Sequence, residues 1–115
     1  MEFCKKIRKT KEFESRILKI EELEKENSYD KAFKALVIFL QILNIYIIKD
    51  KLQLEKNIKN NFFDFIDIYE KNNYKNLARY LRGVLSIYEN YPSNYADLDF
   101  KSLKSYTDFI VNEAF

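Results

Sequence analysis

Glycine and proline are almost absent from this chain, whose 115 residues include one of each, Gly83 and Pro92. Both residues are common in hairpin turns, because glycine reaches positive φ and proline fixes φ near the value that a turn needs. A sheet protein of this length needs several such turns, so an all-β fold is poorly supported. Helices joined by a few short loops need neither residue in number, and we therefore expect an all-α protein.

Length and composition indicate one globular domain. A chain of this size buries roughly two-thirds of its unfolded surface around a single core. Hydrophobic residues make up 47% of the chain and aromatic residues 17%, which favours a packed core over a disordered tail. We predict a basic N-terminal tail or helix extension at residues 1–11 and a single helical-bundle domain over residues 12–115.

Apolar side chains recur at spacings of three and four in five segments, which is the pattern of amphipathic helices. The expected helices cover residues 10–26, 30–48, 51–71, 74–90 and a last stretch from 97 or 99 to near the C-terminus. Asp50 followed by Gln53 matches a capping box at the start of the third helix. Residues 24–32 resemble residues 70–78, so we predict a compact bundle of about five helices, with two similar helical hairpins and a C-terminal helix.

The second predicted helix is apolar on all sides. Residues 35–48 include twelve apolar residues and only two polar ones, Gln41 and Asn44. Because a bilayer span needs roughly 20 apolar residues, a buried helix is expected here and not a membrane segment. One stripe cannot hold all of these side chains, so the helix is either central in the bundle or partly covered by another chain. We expect a homodimer or a complex that forms through the segment from Leu36 to Ile48.

The chain lacks the residues on which several common reactions depend. It has no histidine and one cysteine, Cys4, so histidine-based triads, Cys/His zinc sites and an intrachain disulfide are excluded. A single glycine also excludes glycine-rich phosphate loops. We therefore expect no enzyme, no cofactor and no metal. The charged start, without an apolar signal region, favours a cytoplasmic protein.

Two weaker chemical candidates remain. Asp64, Asp67 and Glu70 lie on successive turns of the third helix, where they would either hold a divalent cation in a cryptic enzyme or form an ordinary solvated face; the solvated face is favoured. Cys4 is flanked by Lys5 and Lys6, whose charges favour the reactive thiolate. A thiol in a basic tail usually has no function, and no role is assigned to it.

Tyrosine and arginine mark the expected partner-binding surface. Tyr88, Tyr91 and Tyr95 surround the loop that contains Pro92, and they either form an interface or seal one end of the bundle. Arg79 and Arg82 are three residues apart on the fourth helix. They would clamp a carboxylate or phosphate, or pair with an acid of a neighbouring helix.

Basic residues at the start of the chain suggest a second function. Residues 1–11 carry five basic groups against one acid: Lys5, Lys6, Arg8, Lys9 and Lys11. Such a cluster releases counterions from phosphates, so we keep an RNA- or DNA-binding regulator as the alternative. Further lysines, at positions 49, 51, 56 and 59, would extend the basic surface, although the whole chain has a net charge of only +2.

Residues 28–33, together with Arg82 and a C-terminal helix, resemble the helical HEPN domains of RNase toxins. In those enzymes the arginine is followed within a few residues by a catalytic histidine. Here the residues after Arg82 run from Gly83 to Tyr88 and include no histidine. The resemblance therefore implies at most a HEPN-like bundle without its catalytic residue, and helical secretion chaperones and tetratricopeptide hairpins fit the same spacing.

The expected function follows from these exclusions and from the supply of apolar and aromatic surface. We expect a non-enzymatic regulator that binds another protein through a helical surface, as immunity proteins, antitoxins, chaperones and phage inhibitors do.

Overall fold

The computed structural model describes residues 2–49 and 53–115, and within these ranges it contains helices and no strand. A 3-10 turn precedes five α-helices. Their bounds are Lys5–Ile7 for the turn, then Glu14–Lys25 (α1), Tyr29–Ile48 (α2), Ile58–Lys71 (α3), Lys75–Glu89 (α4) and Ala96–Ala114 (α5). The prediction of an all-α bundle of about five helices is confirmed.

Two helical hairpins and one bridging helix make up the bundle. α1 packs against α2, α3 packs against α4, and α5 packs against both α2 and α4. α2 contacts α3 at far fewer positions. The core consists largely of phenylalanine rings and branched aliphatic side chains. Its largest fully buried members are Phe13, Phe33, Phe39, Phe62, Phe65 and Phe100.

The two hairpins turn in the same way, as the resemblance between residues 24–32 and 70–78 suggested. Asn27 and Asn73 follow α1 and α3 with φ of 57° and 65°, the left-handed conformation that asparagine tolerates. The next N–H group bonds back to a carbonyl five residues earlier: Ser28 to Leu23 at 2.9 Å and Tyr74 to Tyr69 at 2.8 Å. Asn73 therefore belongs to the end of α3, and α4 begins at Lys75.

α3 begins later than the sequence predicted. Its first residue is Ile58, and the side chain of Asn57 accepts the N–H of Lys59 at 3.1 Å, which caps the helix. The loop before it is held by Asn61, which accepts the N–H of Glu55 at 2.8 Å and donates to its carbonyl at 3.0 Å. The prediction of helix from residue 51 is therefore wrong over 53–57. The predicted capping box begins at Asp50, outside the described residues.

The first residues of the chain pack on the bundle. Phe3, Cys4 and Ile7 are buried, and the N–H of Cys4 donates to Asp108 of α5 at 2.8 Å. Arg8 holds Glu21 of α1 through two hydrogen bonds of 2.7 and 2.9 Å. The basic side chains of residues 1–11 are thus carried on a segment that is attached to both α1 and α5.

Candidate functional site

One side of α2 carries an aliphatic row that the bundle leaves open. We define the outer face of α2 as the residues that follow one another at helical spacing on its solvent side: Lys31, Lys34, Ala35, Ile38, Ile42 and Ile45. Ile38 is 50% exposed, and Ala35, Ile42 and Ile45 are partly exposed. These four apolar residues form a continuous strip that begins beside Lys31 and Lys34 in the first turns of the helix.

The rest of α2 is core. Its buried residues are Ala32, Phe33, Leu36, Val37, Phe39, Leu40, Gln41, Leu43 and Asn44. The two polar members point toward α3, where Gln41 accepts a bond from Asn61 at 2.8 Å and Asn44 accepts one from Tyr69 at 2.7 Å. The sequence left two interpretations of α2 open, a central helix or one partly covered by another chain. In the structure α1, α3 and α5 pack on one side of α2 and the outer face is exposed, so its covering by another chain stays a prediction.

α2 has the length and apolarity of a membrane span by composition alone. It contains 20 residues, with a mean hydropathy of 1.7 over an 18-residue window that is half buried. The apolar run of residues 35–48 is shorter than α2, because the first turns of the helix also contain Asp30, Lys31 and Lys34. A core helix of a soluble protein meets the same criterion, and this helix uses its apolar residues to pack against three others.

The predicted tyrosine patch is divided by the fold. The ring of Tyr91 stacks on Phe33 with centroids 3.8 Å apart, and its hydroxyl donates to Asp30. Tyr88 packs near Phe62, with ring centroids 6.2 Å apart. Tyr95, in contrast, is 63% exposed. Two of the three tyrosines thus seal the end of the bundle, and only Tyr95 is displayed to solvent.

The two arginines of α4 have different surroundings. Arg82 forms an ion pair with Glu70 of α3. Arg79 donates to Asn76 at 3.3 Å and lies 5.6 Å from the ring centre of Tyr80. Arg82 therefore joins two helices, as one of the two sequence interpretations expected, while Arg79 lies on the outward side of α4.

The acidic row on α3 is engaged in ion pairs. Asp67 bonds Lys71 at 2.9 Å, and Glu70 bonds Arg82, while Asp64 is exposed. Among residues 2–49 and 53–115, no group of three or more acidic or cysteine side chains is placed to hold a metal ion.

The N-terminal basic residues are unequally available. Arg8 pairs with Glu21, and the pKa of this carboxyl is lowered chiefly by that hydrogen bond. Lys5, Lys6 and Lys9 are exposed, although Lys6 also reaches the carbonyl of Asn112 at 3.2 Å. Of the lysines farther along the chain, Lys59 pairs with Glu89 at 3.4 Å. Lys51 lies outside the described residues.

Cys4 is a buried thiol. Burial raises its pKa, and the nearby carboxylate of Asp108 raises it further. The neighbouring lysines were expected to favour the thiolate, but their side chains are exposed while the sulfur atom lies in the core. The structure therefore favours the interpretation that Cys4 is an unreactive, buried thiol.

A groove of about 1050 Å³ at the other end of the bundle was not expected from the sequence. It lies where the ends of α2, α3 and α5 meet the start of α4, and three exposed aromatic rings, Tyr46, Tyr74 and Phe115, belong to its lining. Asn76 and Glu113 join two of its sides through a 2.6 Å hydrogen bond. The spacing of residues in the sequence does not predict which helix ends meet, so this groove could be identified only from the structure.

Comparison with known proteins gave no relative. No family model matches the chain. No curated protein matches it in sequence. No solved structure matches its fold.

Proposed function

We propose that this protein is a non-enzymatic regulator that binds another protein through the outer face of α2. The observation that carries the proposal is the strip from Ala35 to Ile45, in which one side of the most apolar helix faces solvent. Burying apolar surface stabilises a complex by roughly 25 cal/mol per Å² before the cost of association. A helical strip of this kind is the recognition element of helix-in-groove and helix-to-helix complexes.

The internal hydrogen bonding of α2 supports the same role. Gln41 and Asn44 satisfy their polar groups within the bundle, so the outer face presents aliphatic side chains without a buried polar group that a partner would have to match. The strip is short, so a complex formed through it would bury a small interface area. Small interface areas are typical of transient complexes and not of obligate ones.

A binding role is also favoured over a carboxylate enzyme. Two of the three acids on α3, Asp67 and Glu70, form ion pairs with Lys71 and Arg82. Carboxylates that are already paired suit a structural surface better than a proton-transfer site, where the acid or base must reach the substrate.

Paired substitutions test the proposal. Ile38→Lys removes apolar surface from the outer face of α2, and Leu18→Lys is the matched control, because Leu18 is 52% exposed on α1 against 50% for Ile38. Both variants should keep the helical circular dichroism and melting temperature of the parent. We expect a partner captured from source cells by the parent chain to be retained by Leu18→Lys and lost by Ile38→Lys. Equal retention by both folded variants would contradict the proposal.

A further inference from the structure

Three aromatic rings form a row across the surface where α4 packs on α5. The ring centroids of Tyr80 and Phe109 are 5.5 Å apart, and those of Phe109 and Tyr106 are 5.7 Å apart. Phe109 is 48% exposed, and the two tyrosines are partly exposed. Tyr106 can lie against α4 because Gly83 has no side chain, and a Cβ atom there would collide with its ring. We call these three rings the aromatic ladder.

Basic residues run along α4 beside the aromatic ladder. Lys75, Arg79 and Arg82 follow one another at spacings of four and three, so they form one stripe on the helix. From residue 71 to residue 88 the chain has no aspartate or glutamate. Arg82 is paired with an acid of α3, whereas Lys75 and Arg79 are exposed and form no ion pair with the residues that the structure describes. Arg79 also lies 5.6 Å from the ring centre of Tyr80.

The combination of exposed rings and cations fits a single-stranded nucleic acid. Every base has an aromatic face that can stack on an exposed ring, and the phosphates between the bases pair with cations beside it. Glu113 is the acid of α5 that adjoins this surface, and it accepts a hydrogen bond from Asn76 at 2.6 Å. An acidic peptide would use the cations alone and leave the aromatic rings without a role.

We propose that the aromatic ladder and the basic stripe bind single-stranded nucleic acid, with a base stacked on Phe109 and phosphates held by Lys75 and Arg79. The site goes beyond the proposed function, since it is separate from the outer face of α2 and from the lysines of residues 1–11. A duplex of the same length should bind less tightly, because its bases are already stacked on one another and cannot reach the rings.

Fluorescence anisotropy with a labelled oligouridylate of about 12 nucleotides tests the aromatic half of the site. Phe109→Ala removes the most exposed ring of the ladder. Phe63→Ala is the matched control, because Phe63 is 50% exposed on α3. We expect Phe109→Ala to weaken binding about tenfold and Phe63→Ala to leave it unchanged. Circular dichroism should show the same helical content and melting temperature for both variants.

The basic half of the site has its own pair of variants. Arg79→Gln removes one phosphate contact, and Arg16→Gln makes the same change at an exposed arginine of α1. For Arg79→Gln, the slope of log affinity against log salt concentration should become shallower by about 0.7, the value for one contact on a single strand. Arg16→Gln should keep the slope of the parent.

Three outcomes would overturn the proposal. The first is the absence of saturable oligouridylate binding at low salt, and the second is an equal loss of affinity in Phe109→Ala and Phe63→Ala. The third is displacement by polyglutamate together with no effect of Phe109→Ala, which would identify a surface for acidic peptides. The effect of Phe109→Ala should also persist when Lys5, Lys6 and Lys9 are replaced by glutamine, and its loss there would assign the binding to those lysines instead.

Discussion

The hydroxyl of Tyr69 on α3 donates a 2.7 Å hydrogen bond to the side-chain carbonyl of Asn44, and both side chains are buried. Burial also raises the pKa of Tyr69, so the hydroxyl stays protonated and remains a donor. Asn44 in turn donates to the carbonyl of Leu40 at 2.7 Å. This chain of bonds ties the middle of α2 to α3, where the two helices otherwise make little contact.

Removing that hydroxyl should destabilise the fold. Tyr69→Phe leaves the Asn44 carbonyl buried without its partner, and we expect a loss of about 1–3 kcal/mol in the free energy of unfolding. Tyr95→Phe, at a 63% exposed tyrosine, should change it by less than about 0.5 kcal/mol. Urea unfolding followed by circular dichroism measures both. Equal stability of the two variants would mean that the buried bond contributes nothing.

Gly83 in the middle of α4 should resist replacement by alanine. A Cβ atom there would lie 2.4 Å from the ring of Tyr106, so α5 packs directly on the glycine backbone. We expect Gly83→Ala to destabilise the parent by about 1 kcal/mol because the tyrosine must move. In a Tyr106→Ala background the same change should stabilise by about 1 kcal/mol, the ordinary helix preference. A change of the same sign in both backgrounds would exclude the packing explanation.

The buried thiol makes a prediction about alkaline pH. The pKa of Cys4 is raised above its ordinary value of 9.0 in the folded chain, so above that pH the unfolded chain loses a proton that the folded chain keeps. Stability then falls as pH rises. We expect the fall between pH 9 and 10 to be steeper in the parent than in Cys4→Ala.

Thiol labelling provides an independent measurement of the same burial. With a disulfide exchange reagent at pH 8, we expect Cys4 to react at the rate of unfolding and to react rapidly once urea is added. Rapid labelling of the folded chain would contradict the buried position.

The number and order of the helices are predictable because helical spacing is a local property of the sequence. The exact helix ends and the surroundings of the candidate site residues depend on contacts between residues that are far apart in the chain. The sequence left Tyr91 as either an interface residue or a seal of the bundle end, and the choice depends on Phe33, a residue of another helix on which its ring stacks. Gln41 and Asn44 interrupt the apolar run because both form hydrogen bonds with side chains of α3. Helical spacing alone cannot identify which neighbouring helix a residue contacts. The start of α3 depends on Asn57, which accepts the N–H of Lys59 in the first turn, and on Asn61, which donates to the loop carbonyl of Glu55.

The nucleic-acid alternative needs a test that preserves the fold. Deleting residues 1–11 would remove the buried Phe3, Cys4 and Ile7, so loss of binding after that deletion would reflect unfolding. Replacing Lys5, Lys6 and Lys9 by glutamine keeps those residues in place. If the alternative holds, affinity for a single-stranded RNA should fall, and the slope of log affinity against log salt concentration should become shallower by about 2, the value for three lost phosphate contacts. Unchanged, salt-insensitive binding would exclude a role for these lysines.

Because α2 packs against α5, the burial of α2 depends on a helix that is synthesised later. α2 leaves the ribosome well before α5, the helix that covers part of its apolar surface, has been made. During that interval the nascent chain presents a 20-residue segment with the length and hydropathy that membrane-insertion machinery accepts. Burial of this segment is completed only after α5 has been synthesised, so the cell must keep the growing chain from aggregation or misdirected insertion until α5 has emerged.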